Sequence, residues 1–315
     1  MFVTAVDAPT LSAAAEELFI TQQALSAAIR ELERQLDVSL FSRTRRSLTL
    51  TPAGHALYRG AVPLLAGGRQ LARMVRRADA GRPDPFVIGH TPDVATSEIF
   101  QIIESVVLAD ASVPITARPV FAESIREDLL AGTIDIALAR GVQPPSDLAS
   151  TIATYHALRL AVDADHPLAQ QDSVTIEDLA PHPIVVWGPE HESYYTDVLV
   201  SHCRRAGFDP TLIVSTLLGT PPHTAVVAHP DACAFVTNDP GWVYGNRIRI
   251  MEFTDPPLVP VQAMWLPHTA SELRNRILAA GEESGGAGVG TAPPLSSGID
   301  ADGSAGLDHR PRQRG

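Results

Sequence analysis

The sequence predicts an α/β chain carried behind a small helical head, and three observations support that reading. Residues 10–54 place two short helical patterns about four residues apart and follow them at once with an Arg-rich hairpin. Thr51-Pro52-Ala53-Gly54 then restarts a helix that can run to about Ala78. From Phe86 onward, short β-prone runs alternate with helical stretches, the grammar of βαβ units and a mostly parallel sheet.

Size and charge bound the reading. A chain of 315 residues suggests about two domains, and 45% hydrophobic residues are ample for a buried core. The net charge of −12 is unevenly spread: residues 1–82 hold 11 Arg against 7 acids, +4, and the remainder 13 Arg against 29 acids, −16. The front end can meet a polyanion and the back end cannot. Every basic residue is Arg, which weakens any argument that a particular Arg stands in place of Lys. Cys203 and Cys233 are too few for a disulfide framework and sit in apolar patterns, as small buried hydrophobes. No apolar run approaches the ~18 residues of a membrane span, and Met1–Thr10 has no basic segment before an apolar core. A cytoplasmic protein is expected.

In the head, the first helical pattern runs through Ala13, Ala14, Glu17, Leu18 and Phe19, with small residues where a second helix must cross. Ile20-Thr21 reads as the turn, with Thr21 as N-cap. Ala24, Leu25, Ile29, Leu32 and Leu36 form the expected buried stripe of the second helix. Its other face holds Gln22, Gln23, Ser26, Ala27 and Arg30. Glutamines there can pair bidentately with adenine, Ser26 can bond base or phosphate, and Ala27 is small enough for a thymine methyl. Ser42 to Ser47 form a basic wing whose Arg43, Arg45 and Arg46 suit phosphates or the minor groove. Taken singly, each residue also fits a solvated helix face and a basic turn; the order and spacing together favour DNA.

The next helix starts with Thr51 as N-cap and Pro52 at the first helical position. Pro63 and Gly67-Gly68 predict a kink or a weak middle. Residues 79–85 read as a linker. The strand candidates are FVIG, PITARPVF, IDIALAR, LRLAVDA, PIVVW, LIVST and ACAFVT, separated by SEIFQIIESVVLA, AESIREDLLAG and YYTDVLVSHCRRAGF. The last helical piece ends near Gly281, and residues 282–315 read as a disordered tail.

The segment TLSAAAEELFITQQALSAAIRELERQLDVSLFSRTRRSLTLTPAG resembles the winged helix-turn-helix of LysR-type transcriptional regulators. The resemblance rests on Ala14, Ala15, Leu18, Ile20, Thr21, Gln22, Ala24, Leu25, Ser26, Ile29, Leu32, Glu33, Leu36, Leu40, Phe41, Arg43, Arg46, Thr51, Ala53 and Gly54. It continues over roughly residues 2–280, through Asp163-Ala-Asp-His-Pro-Leu-Ala169 and the helix ending RRAGFDP. Gln23 stands where Pro or Ser is usual, Ala27 where a basic residue is usual, and Asp37 where the turn usually has Gly. The family begins about eight residues earlier, so Phe2–Val6 match only the end of its first helix; a start upstream of Met1 and a genuine truncation both fit.

The resemblance implies a winged helix-turn-helix over 1–54, a linker and dimerisation helix with hinge over 55–85, and an effector domain over 86–281. That domain would comprise two Rossmann-like α/β subdomains, similar to periplasmic binding proteins, with an effector in the cleft between them. The residues point to the same place: Thr91, Ser124 and Trp187 each follow a strand, and Thr220 lies in the loop LLGTPP. Ligands of such sheets sit at strand carboxyl ends, against helix N-termini. Little Arg lies in those loops, which favours a small carboxylate held by hydroxyls and backbone N–H groups over a polyphosphate. The expected partners are double-stranded promoter DNA, a small-molecule effector, a second copy or a tetramer of the chain, and RNA polymerase. No cofactor, metal or catalytic set is expected, because no HExxH, CxxC or GxSxG occurs. The rival reading is a small-molecule-binding protein that has lost DNA binding.

Overall fold

The computed structural model describes residues 1–43, 48–81, 85–217, 220 and 222–286. Three short helices form the head: α1 (Phe2–Asp7), α2 (Leu11–Glu17) and α3 (Gln22–Leu36). Thr10 and Thr21 cap α2 and α3, their hydroxyls accepting from Ala13 N and Ala24 N at 3.1 Å each. Helix α2 ends earlier than expected. Leu18 and Phe19 belong to the turn, where Phe19 takes a positive φ of 55° and is left exposed.

The head's core is small: Ala5, Ala14, Ala15, Leu25 and Ile29, flanked by Leu11, Leu18, Ile20 and Phe41. The expected α3 stripe is correspondingly narrower. Leu25 and Ile29 are buried, whereas Ala24 and Leu36, near the two ends of the helix, are exposed. Strands β1 (Phe41–Arg43) and β2 (Leu48–Leu50) pair antiparallel as the wing, in the register Phe41↔Leu50. Two local devices hold the wing. The Glu33 carboxylate accepts from Leu40 N at 2.8 Å and Phe41 N at 3.3 Å. At Gly54 any Cβ would lie 2.1 Å from Leu40 O, so only glycine lets the next helix start this close to the wing.

Helix α4 (Pro52–Asp79) runs 28 residues, with Pro63 and Gly67-Gly68 inside it. Pro63 and Ala66 are buried, and Ala66 joins a core cluster with Val120, Ile125, Leu129, Met264 and Leu266 of the following domain. The small residues let α4 approach that domain closely, with Gly67 facing Thr269. Gln70 Nε2 donates to Asp135, whose other oxygen accepts from Val87 N at 2.8 Å. Tyr58 OH donates to Asp7 at the head end. The opposite face leaves Leu64, Leu65, Leu71, Met74 and Val75 exposed.

Two sheets follow. The first has five strands in the order β4 (Ile115–Pro119), β3 (Phe86–His90), β5 (Ile136–Arg140), β13 (Leu258–Trp265) and β6 (Ala149–Ala157). Helices α5 (Thr96–Ala109), α6 (Ile125–Ala131) and α8 (Glu272–Gly286) belong to this first unit. The second sheet has six strands, ordered β11 (Gly241–Val243), β12 (Ile248–Glu252), β7 (Arg159–Asp163), β10 (Cys233–Val236), β8 (Ile184–Val186) and β9 (Leu212–Val214). Helix α7 (Tyr194–Arg205) packs on it.

Both sheets are mixed rather than mostly parallel: β4, β3 and β5 run parallel, and β13 is antiparallel to β5 and β6. The chain crosses between the units twice, from β6 into β7 and from β12 into β13, and Leu158 N donates to Pro257 O at 2.7 Å where the crossovers meet. Helix α8 continues past Gly281 to Gly286, because Glu282, Glu283 and Ser284 are compatible with helix and nothing there stops it. The remainder of the expected tail, 287–315, lies outside the described residues. Cys203 and Cys233 are fully buried in the second core, where burial pushes the thiols up to about 11 and about 12.

Candidate functional site

The head presents one polar helix face. Gln22, Gln23, Ala27 and Arg30 are exposed on α3, and Ser26 lies half-buried beside them. Gln22 Oε1 accepts from Ser12 Oγ at 3.3 Å, which steadies its amide near the helix start. Ser26 and Arg30 border a hollow of about 340 Å³ whose other walls are Leu11, Ile29, Glu33, Ser39 and Phe41. Thr21, another expected DNA contact, caps α3: its hydroxyl oxygen accepts from Ala24 N, which leaves its O–H able to donate. Arg43 lies in β1; its side chain, and Arg45 and Arg46 altogether, lie outside the described residues.

The second constellation lies where strand carboxyl ends of the two α/β units meet. Thr91 follows β3, Arg140 ends β5, Trp187 follows β8 and Thr237 follows β10. Arg140 is the centre of it and is only 2% exposed. Its Nη2 donates to Glu98 Oε1 at 2.9 Å and lies 2.9 Å from His156 Nδ1. Its Nη1 donates to Thr237 Oγ1 at 3.2 Å, across to the second unit, and to the Asp93 carbonyl. Glu98 also accepts from Ala95 N at 2.7 Å, capping α5, and stands 2.8 Å from His156 Nδ1. Protonated at Nδ1, His156 donates to the carboxylate; unprotonated there, it accepts from the guanidinium.

These groups shape one another's charges. Burial pushes Glu98 upward, but the hydrogen bond from His156 and the charge of Arg140 outweigh it and hold the carboxyl at about 2. Burial likewise works against the Arg140 cation, and Glu98 beside it more than offsets that. Asp93 is raised by burial, with Arg140 and Thr91 pulling the other way. Thr91 Oγ1 makes no hydrogen bond of good geometry among the described residues, although the Asp93 carboxyl is near enough to feel it. Arg140 Nε is also buried without a partner among them. Tyr195 of α7 closes the space from the other unit, its Cβ seated against Gly141, whose φ is +58°. Burial pushes the Tyr195 hydroxyl up.

The expected cleft residues fall unequally around this cluster. Thr91 lies within it, 4% exposed. Ser124 is turned to its own helix, its hydroxyl facing Phe121 O at 3.1 Å and Asp128 at 3.0 Å beside Arg118 and Thr133. Trp187 packs partly buried against the second unit's core. Thr220 accepts from Thr224 Oγ1 at 3.2 Å. The sequence reading missed Glu98, Arg140, His156 and Thr237; the loops it named hold little Arg, but Arg140 reaches the cleft from the end of β5. The signal was present in IDIALARG: an Arg closing an otherwise apolar strand must find a counterion.

Elsewhere, Glu190, His191 and Asp197 bring ligand atoms within 4.8 Å of one another. Arg204 already neutralises Glu190 at 2.7 Å, and His191 N donates to Asp197 at 2.8 Å. No helix among the described residues is long and apolar enough to cross a membrane.

Residues 1–55 match the family profile described as bacterial regulatory helix-turn-helix protein, lysR family, and residues 80–277 match the LysR substrate binding domain. The HTH-type transcriptional regulator AlsR of Bacillus subtilis (strain 168) is 30% identical over 216 residues, 67% of this chain and 70% of the relative. TfdS of Cupriavidus pinatubonensis (strain JMP 134 / LMG 1197), also an HTH-type transcriptional regulator, is 29% identical over 275 residues, 84% of this chain and 90% of the relative. Among solved structures, full-length CbnR complexed with its target DNA aligns with a TM-score of 0.54 at 18% identity, covering 90% of this chain and 97% of that one. The crystal structure of CbnR, a LysR family transcriptional regulator, gives 0.51 at 18% identity over 89% and 97%. At that identity the structural likeness speaks for the fold.

Proposed function

The chain belongs to the LysR family of bacterial transcriptional regulators, and from that premise we propose how its own residues divide the work. The exposed face of α3 reads the major groove through Gln22, Gln23, Ser26 and Arg30, while Arg43, Arg45 and Arg46 of the wing engage phosphates or the minor groove. The carrying observation is the mounting of that face. Thr21 caps α3 at its start, and Glu33 ties its far half to the wing at Leu40 and Phe41, so helix and wing meet DNA as one rigid unit.

Two chains pair through the exposed apolar face of α4, Leu64, Leu65, Leu71, Met74 and Val75, which sets two reading heads on a roughly palindromic site. Half-sites of such dimers lie about 34–36 Å apart or a multiple of it. An effector binds among Thr91, Arg140, Trp187 and Thr237, and the spread or closure of the two units changes half-site spacing. The protein works in the cytoplasm, where its DNA is, and as a regulator rather than an enzyme; RNA polymerase is its downstream partner.

Gel-shift and footprinting on the intergenic DNA upstream of its own gene test this. Protection of a two-fold site, with affinity falling steeply in salt, is expected. Binding to that DNA no tighter than to random sequence would sink the reading and favour a small-molecule-binding protein without DNA function.

A further inference from the structure

Arg140, the cation at the centre of the cleft, is already spent inside the protein. Arg140 has five N–H donors. Nη1 serves Thr237 Oγ1 and the Asp93 carbonyl, and Nη2 serves Glu98 while resting against His156. Nε–H alone remains, buried. A carboxylate binds guanidinium best through two parallel N–H bonds, and each edge of this guanidinium has at least one nitrogen engaged. The charge count points the same way: Glu98 matches Arg140. A further buried anion would find no unmatched positive charge on Arg140, and burial without one is costly.

Glu98 is also hard to displace. It holds Ala95 N at 2.7 Å and His156 at 2.8 Å besides Arg140, so moving it uncaps α5 and strands a buried cation at once. What the cluster lacks is one acceptor for Arg140 Nε–H, on a residue 2% exposed at the end of a strand adjacent to the one Thr91 follows, with the Thr91 hydroxyl beside the Asp93 carboxyl. We propose that Glu98 fixes the charge class of the effector: the cleft takes a small uncharged molecule presenting a carbonyl or hydroxyl oxygen, and it refuses carboxylates. The units must part to admit it, since the cluster is buried and Tyr195 of the other unit packs against Gly141 beside it. This rests on reading the cleft as the effector site.

The test is thermal unfolding of the full-length chain with matched pairs at equal ionic strength: propionate and propionamide, lactate and lactamide, nicotinate and nicotinamide. A ligand at ten times its Kd raises the midpoint by roughly 3–5 °C for a chain of this size. We expect at least one amide to raise the native midpoint and its carboxylate partner to leave it unchanged. In Glu98→Gln, with Arg140 released, we expect the carboxylate of that pair to become the stabilising member. Carboxylate preference in the native chain overturns the proposal, as does silence of every amide, and so does Glu98→Gln folding with its preference unchanged. If Glu98→Gln does not fold, the native comparison decides alone. Thr91→Val separates the two failures: if it abolishes a carboxylate response, the cleft is the site and only the charge class is wrong. If no cleft substitution alters any response, the site itself is misplaced.

Discussion

Tyr195 of α7 rests on Gly141 so closely that a Cβ added at 141 would lie 2.2 Å from the Tyr195 Cβ. Gly141 also has φ +58°, a left-handed conformation that other residues adopt at a cost. Both constraints act at the seam between the two α/β units. Gly141→Ala should therefore destabilise the closed form by about 1–3 kcal/mol. The check is small-angle scattering beside thermal unfolding; an unchanged radius of gyration with an unchanged midpoint would refute the role given to this contact.

Glu33 ties the recognition helix to the wing by accepting from Leu40 N and Phe41 N. Glu33→Gln keeps the shape but gives up charge assistance, and should cost the head about 1–3 kcal/mol. Urea unfolding followed by helical circular dichroism would show it, with DNA affinity falling in parallel.

Asp37 closes α3 in the left-handed region, φ 53° and ψ 35°, where glycine is the unstrained choice. Asp37→Gly should stabilise the head by up to about 1 kcal/mol. A lowered denaturation midpoint would contradict that.

The cleft network carries a pH dependence of known sign. Glu98 is held at about 2 against an ordinary 4.5. A depressed carboxyl contributes stability that is fully present above its unfolded pKa and lost as pH falls through the folded one. The contribution should thus be complete near pH 5 and above, and disappear between about 4.5 and 2. Glu98→Gln should flatten that part of the stability–pH curve.

On DNA, Gln22→Ala should relax base preference, while Arg45→Ala should weaken all sequences alike and reduce the salt slope by about 1. Competition titrations against specific and random duplexes separate these outcomes. Equal effects of both substitutions on both duplexes would contradict the assignments.

Much of the head was legible because its signals are local. Thr21 and Thr51 announce helix starts by their own chemistry, and both hydroxyls accept the expected N–H bonds. Strands β6 and β13 were not legible. Their register runs from Leu258↔Ala157 to Trp265↔Ala149, over a hundred residues apart in the chain, and Pro260 sits inside β13. The cleft escaped for the same reason. Glu98, Arg140, His156 and Thr237 come from a helix, two strands and a loop, and no spacing in the sequence records that they touch.

Helix α4 has one more implication. Gln70 pins it to Asp135 of the first α/β unit, and Pro52, at the wing, lies eighteen residues up the same unbroken helix. At 1.5 Å per residue this is an arm of about 27 Å. A ten-degree tilt of the unit would swing the far end by roughly 5 Å, more than the ~3.4 Å rise along the DNA axis from one base pair to the next. A displacement too small to unfold anything at the cleft is thus large enough to move a reading head out of register with its bases.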